Sequence, residues 1–225
     1  MHSLSIAPKP GEPLAAWFSS PESRDGVTQQ RFECTSDGDL VSGRVWLGAA
    51  TRPRESAALP RGGAALPLVL AIHELTRDAR DPLLATSAFA WASAGFTTAA
   101  IDLPLHGERH NAKLSRRAIA GAAGGTDAAL WRGLLLQAIR DLARALDALA
   151  PRLGAPLTEV TSVAFGGSAA IALSHAQLDT RVARMAAIGA PRAVANELAT
   201  GATKSIHWVE RPDDLTAWLG VRSPA

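Results

Sequence analysis

The chain has 225 residues, enough for one domain with an enclosed core. Hydrophobic residues at 47% against 20% charged exclude a disordered chain. A formal charge of +2, with arginines scattered rather than clustered, argues against nucleic-acid binding, and the isoelectric point of about 9.2 reflects the absence of Tyr and the near absence of Cys. The single Cys34 rules out an intramolecular disulfide and fits a reducing compartment. The start, MHSLSIAPKPGEP, lacks the charged-then-apolar pattern of a secretory signal, and no apolar stretch reaches membrane-span length. A cytoplasmic protein with no membrane or nucleic-acid partner is expected.

Residues 1–30 are rich in Pro, Ser and Gly and are expected to form an arm that wraps the body through Trp17 and Phe18, leaving 31–225 as the domain. Residues 31–35 and 40–47 flank Ser36-Asp37-Gly38-Asp39, a turn-rich tetrapeptide that predicts a β-hairpin. Val41, Gly43, Val45 and Leu47 alternate with Ser42, Arg44 and Trp46, which suits a strand with one covered face. A Pro/Gly/Ala-rich linker follows at 49–66.

Strand and helix patterns then alternate. Buried strands are predicted at 68–73, 97–102, 160–165 and 184–189, with a weaker one at 205–210. The first intervening helix starts at Asp81-Pro82, an acidic cap followed by proline in the first turn, and ends at Gly95. In the long helix 128–150, Leu134, Leu135, Ala138, Ile139, Leu142, Leu146 and Leu149 recur at helical spacing. Arg132, Arg140, Asp141, Arg144 and Asp147 fill its other side, and Pro151 is expected to stop it. Residues 111–127, with Gly121, Gly124 and Gly125, read either as a lid over the strand ends or as a plain connection. Strand–helix–strand alternation builds a parallel sheet, and polar residues gather where its strands end, at His73-Glu74 and at Asp102 to His106-Gly107.

Three segments resemble the α/β-hydrolases, in the esterase and dienelactone-hydrolase-like branch. They are Ser36-Asp37-Gly38 with Gly43-Arg44-Val45-Trp46-Leu47; Ala94-Gly95-Phe96 with Ile101-Asp102-Leu103-Pro104-Leu105-His106-Gly107-Glu108-Arg109; and Leu178-Asp179-Thr180-Arg181-Val182. The second is the most specific. The resemblance runs from about residue 31 to 190 and implies an α/β-hydrolase-like fold: a mostly parallel sheet flanked by helices, an N-terminal antiparallel hairpin, and a C-terminal end whose last strand is either absent, a truncation, or unrecognisable. It also implies a serine hydrolase of the carboxylic-ester type, acting on a small ester or thioester without a cofactor. In such proteins His-Gly after the first parallel strand leads into the oxyanion loop. Here the pair is His73-Glu74, so the glycine is replaced, and by position Leu75 would offer the N–H. The plainer reading is that His73 and Glu74 cap a strand. His-Glu is also similar to dienelactone hydrolases, whose glutamate touches a cysteine nucleophile, but Cys34 lies in the hairpin and that chemistry does not carry over.

The nucleophile belongs on a sharp strand-to-helix turn, Gly-x-Ser-x-Gly. Two registers compete within residues 160–171. Counting back from Asp179-Thr180-Arg181 puts Gly166 where the serine belongs, with Ala164 as the leading small residue. A shift of two gives Gly166-Gly167-Ser168-Ala169-Ala170, with Ser168 as nucleophile and the Ala169 N–H as second oxyanion donor. Ser168 also reads as a helix cap. The acid is expected at Asp214 or neighbouring Asp213. No histidine follows His207, so it is the one downstream base, with Glu197 or Asp179 as partner. Asp102, His106 and His110 have metal-ligand spacing only on a helix, which Pro104 and Gly107 prevent, so no metal is expected. The resemblance instead makes the His106-Gly107 turn a structural brace. The alternative to an esterase is a catalytically inactive or truncated hydrolase-fold protein with a binding or assembly role. An open sheet edge would favour a homodimer.

Overall fold

The computed structural model describes residues 13–48, 68–122, 128–154, 156–190, 206–212, 215 and 218–219. Strands β1 (Ala16–Phe18) and β2 (Glu22–Arg24) both pair antiparallel with β3 (Val27–Ser36), which turns into β4 (Asp39–Leu47). The turn residues Asp37 and Gly38 have φ of 53° and 83°. Two successive positive φ angles give the two-residue hairpin turn whose twist matches its strands, which is why Asp-Gly carries the signal. Sheet structure therefore begins well inside the segment expected as a loose arm. Alternation explains it: Phe32, Cys34 and Gln30 of β3 are buried, and Phe18 of β1 stacks on Phe32 with ring centroids 5.9 Å apart. Trp17 points the other way and is 52% exposed, so it does not wrap the body.

The hairpin joins a parallel sheet through β4, which runs antiparallel to β6 (Thr97–Ile101). Strand β5 (Leu68–Ile72) lies between β6 and β7 (Val160–Phe165), parallel to both, and β8 (Val182–Ile188) and β9 (Ile206–Val209) extend the sheet in parallel. The order is β1-β3-β4-β6-β5-β7-β8-β9. The chain leaves β5 for β6 on one side and returns to β7 on the other. That reversal opens a crevice at the carboxyl ends of β5 and β7, the place where open α/β sheets bind ligands.

Helix α1 (Pro82–Ser93) covers one face of the sheet. Helices α3 (Ala128–Leu153) and α4 (Ala169–Leu178) cover the other. Leu68, Leu70 and Ile72 pack with Leu142, Leu146 and Ile171, whereas Val69 and Ala71 pack with Leu84, Ala88 and Trp91. The period-2 division of β5 between two helical layers is what makes it a continuous apolar run. Asp81 caps α1 by accepting from Leu83 and Leu84 N–H, and Gly95 (φ 98°) follows its end. Helix α3 runs through Pro151 to Leu153, and Gly154 (φ 65°) donates to Ala150 O at 3.0 Å. A proline in the last turn forfeits one bond, which the helix tolerates. The residues expected as a lid or plain connection include α2 (Ala112–Ala122), where Asn111 Oδ1 accepts from Leu114 N–H at 3.1 Å and Ser115 Oγ donates to Leu105 O at 2.7 Å. No helix among the described residues is long and apolar enough to cross a membrane.

The polar face of α3 is not wholly solvated. Asp141 is buried, accepting from Arg109 at 2.6 Å and Gln137 at 2.7 Å, and Arg144 donates to the carbonyls of Thr35 and Pro13. Burial raises the Asp141 carboxyl above its usual range, with Arg109 opposing the shift. Removing the cation would strand a buried charge, so Arg109→Met should cost about 3–5 kcal/mol. A lower urea midpoint at unchanged m-value checks this, and adding Asp141→Asn should restore part of the loss.

Candidate active site

The crevice at the ends of β5 and β7 is built by two turns. After β5, His73 is buried, and Leu103 N–H donates to its Nε2 at 3.0 Å. Its Nδ1, 2.8 Å from Glu74 O, therefore carries the proton. Burial pushes the His73 imidazole down to about 4, against the opposing hydrogen bond to the Glu74 carbonyl. The ring is thus a neutral strut tying the end of β5 to the end of β6. His106 lies between two carbonyls, with Nδ1 2.8 Å from Pro104 O and Nε2 2.5 Å from Leu75 O. Asp102 accepts from Ala79 N–H at 2.9 Å and Glu108 N–H at 3.1 Å, and Gly107 sits so close that a Cβ there would lie 2.1 Å from Oδ2. The Asp102 to Arg109 motif is accordingly a brace: it clamps the loop after β5 and, through Arg109, reaches α3.

After β7 the chain makes a sharp bend. Gly166 has φ of 58°, a conformation that glycine adopts freely, and a short turn Gly166–Ser168 leads into α4. Gly166 therefore occupies the apex, with Ala164 and Ser168 as the small residues two positions either side. Ser168, expected as the nucleophile, is fully buried, and its hydroxyl is 2.9 Å from Phe165 O and 3.2 Å from Ile72 O. It points into the fold, not into the crevice, because the position two residues past the apex packs beneath the turn. Ala169, expected to hold an oxyanion, spends its N–H on Gly166 O. Leu75 N–H does face the apex, and the second N–H there belongs to Gly167. Both are already taken. Glu74 Oε1 accepts from Leu75 N–H at 2.8 Å and Glu74 Oε2 from Gly167 N–H at 3.0 Å. A Cβ on Gly166 would lie 1.3 Å from Glu74 Oε2, so this carboxylate fills the space a side chain at the apex would need.

Of the other expected residues that the structure describes, His207 and Asp179 are not brought to this point. Asp214, with Asp213 and Glu197, lies outside the described residues. His207 is within β9, and its ring stacks on Trp218 at 4.7 Å with planes 5° apart, Arg184 lying over the same indole at 5.5 Å. Asp179 lies just before β8, at the opposite end of the strands from the crevice, where it holds Arg181 at 2.7 Å and lies 3.2 Å from His175 Nε2, so it is not brought to His207. Burial raises the Asp179 carboxyl, but the hydrogen bonds from His175 and Arg181 outweigh it and hold the group well below the usual range. Among the described residues, no group of three or more His, Cys, Asp or Glu is arranged to hold a metal. The crevice beside the apex encloses about 340 Å³ and is lined by Glu74, Asp81, Leu84, Phe165, Ile188 and Glu210 among others. A second cavity of about 570 Å³ lies between the loop after β5 and the His106 turn, with Leu75 and Arg77 on one wall and His110 and Ser115 on the other. The Gly167 donor was missed because register alone set the apex; the replaced glycine at Glu74 was the signal for it.

No protein-family model matches the sequence, and neither does any curated protein. Solved structures do. A cold-adapted esterase from an Arctic intertidal metagenomic library is similar at 22% identity and TM-score 0.61, over 86% of this chain and 76% of that one. An acetyl xylan esterase from Paenibacillus sp. R4 is similar at 18% identity and TM-score 0.57, over 80% of this chain and 54% of that one. Acetyl xylan esterase 1 from Thermoanaerobacterium sp. JW/SL YS485 follows at 15% identity and TM-score 0.53, over 97% of this chain and 62% of that one. The chain has the α/β-hydrolase fold. The chain spans little more than half of the Paenibacillus esterase.

Gly166→Ala should destabilise this α/β-hydrolase fold by about 1–3 kcal/mol through positive φ and collision with Glu74. In a Glu74→Ala background the cost should shrink, giving a non-additive cycle in chemical denaturation. His73 titrates lower folded than unfolded, so its contribution is present above pH 6.5 and lost as pH falls toward about 4. Stability should drop by on the order of 3 kcal/mol more in the parent protein than in His73→Gln across that window, read from urea melts.

Proposed function

We propose that this protein is an esterase-like α/β-hydrolase fold that binds a small molecule at its strand-end crevice without serine-ester chemistry. The observation that carries this reading is the Glu74 carboxylate, which bridges the Leu75 and Gly167 N–H groups over a glycine apex. Ester hydrolysis needs a nucleophile at the elbow and free donors for the developing oxyanion. Here the apex has no side chain, and the two donors already serve an anion. An oxyanion formed about 4 Å from that carboxylate would meet about 4 kcal/mol of repulsion at an effective dielectric of 20, roughly a thousandfold in rate. The reading in which Ser168 attacks a small ester or thioester with His207 and Asp214 would need the serine hydroxyl to leave two carbonyl acceptors and cross the turn.

A fluorophosphonate probe should fail to label the folded protein. Turnover of p-nitrophenyl acetate should be no faster than that of a Ser168→Ala control. Labelling that Ser168→Ala abolishes would overturn the binding-protein reading and restore the serine hydrolase. An assembly role has one observation in its favour: β9 is last in the sheet order among the described residues, and its Trp208 is 37% exposed. A homodimer through this edge would show as twice the monomer mass in light scattering at micromolar concentration, and a monomer mass would count against it.

A further inference from the structure

From the proposed binding role, on which this step rests, we infer that the crevice takes a small organic cation, a primary ammonium on a short apolar body. The polarity of the site is inverted relative to a centre that stabilises negative charge. Both convergent N–H groups at the elbow are turned onto Glu74, whose Oε1 and Oε2 lie 2.8 Å from Leu75 N and 3.0 Å from Gly167 N. A carboxylate has about four lone-pair sites, and these two bonds use one on each oxygen, so the group keeps acceptor capacity for an incoming donor. Because Gly166 carries no side chain, nothing at the apex screens Glu74 from the crevice. The two amides also fix the carboxylate in place, so little side-chain entropy is lost when a ligand meets it.

The walls complete the chemistry. Leu84, Phe165 and Ile188 offer apolar surface beside the carboxylate, in about 340 Å³, room for a small amine and at the low end for ligand pockets. Among the described lining residues the one cation is Arg77, whose Nε lies 3.6 Å from Asp81 Oδ2, so its charge is answered within the wall. An anionic ligand would face Glu74 with both elbow donors spent. A neutral one would gain the apolar contacts without the ion pair.

The test titrates the unaltered protein with n-butylammonium, butyrate and butanol, following backbone amide signals by NMR. Butylammonium should give saturable shifts at Leu75 and Gly167, the two amides bonded to Glu74, with butyrate and butanol at least about tenfold weaker. Glu74→Gln, which keeps the shape and removes the charge, should weaken butylammonium about tenfold or more. Butyrate saturating the same amides as tightly, absence of any butylammonium response, or undiminished affinity in Glu74→Gln would each overturn the inference. If Glu74→Gln does not fold, the titration of the parent protein decides alone. Fluorophosphonate labelling at Ser168 would strike the binding-protein reading, whereas an unlabelled protein indifferent to butylammonium strikes only the ligand class.

Discussion

Everything distinctive about the crevice follows from one carboxylate held by two backbone N–H groups. Glu74 leaves the end of β5, folds back onto the N–H of its own neighbour Leu75, and crosses to the N–H of Gly167 after β7. A half-buried carboxylate at the junction of two turns is held by such charge-assisted bonds. The arrangement therefore ties together the two strands at which the sheet reverses order. It also requires that residue 166 have no side chain, since a Cβ would overlap the carboxylate. Glycine at the apex and glutamate after His73 form one coupled feature.

A second layer of polar contacts holds that feature in register. Neutral His73 joins the ends of β5 and β6, and Asp102 accepts from both flanking loops. His106 bridges the Pro104 and Leu75 carbonyls. Beyond them Arg109 carries the brace to buried Asp141 on α3, so the helical layer and the turn are coupled by an ion pair rather than by apolar packing alone. Buried polar groups of this kind are expensive unless every donor finds an acceptor, and here these bonds secure the loops at the strand ends. Fixed geometry follows, and a fixed geometry is what a recognition site requires.

The scaffold was largely legible before any coordinates. The Asp37-Gly38 turn, the apolar runs of β5 to β8 and the Asp81 cap depend on residues close in sequence, and each was located within a few positions. Where sequence reading failed, distant partners decided. Strand β1 was hidden because its pairing is with Cys34, Glu33 and Phe32, well along the chain. Asp141 and Arg144 read only as the polar side of a helix because nothing local shows that the hairpin and Arg109 cover them. The segment beginning α2 read as a loop from its glycines, although Asn111 caps a helix there.

The elbow shows the same division at the scale of single atoms. Local sequence determined that a glycine-rich strand-to-helix bend lies at residues 165–168, that His73-Glu74 ends the first parallel strand, and that the Asp102 to Arg109 motif sits beside them. Two registers of the bend compete on those residues, since small side chains satisfy the sterics of either. Only tertiary structure decided between them: it set Gly166 at positive φ, turned the Ser168 hydroxyl onto the Phe165 and Ile72 carbonyls, and brought Glu74 across the gap. The physical reason is that hydroxyl direction and carboxylate reach depend on which backbone groups from separate strands are left needing a partner, and no run of neighbouring residues encodes that.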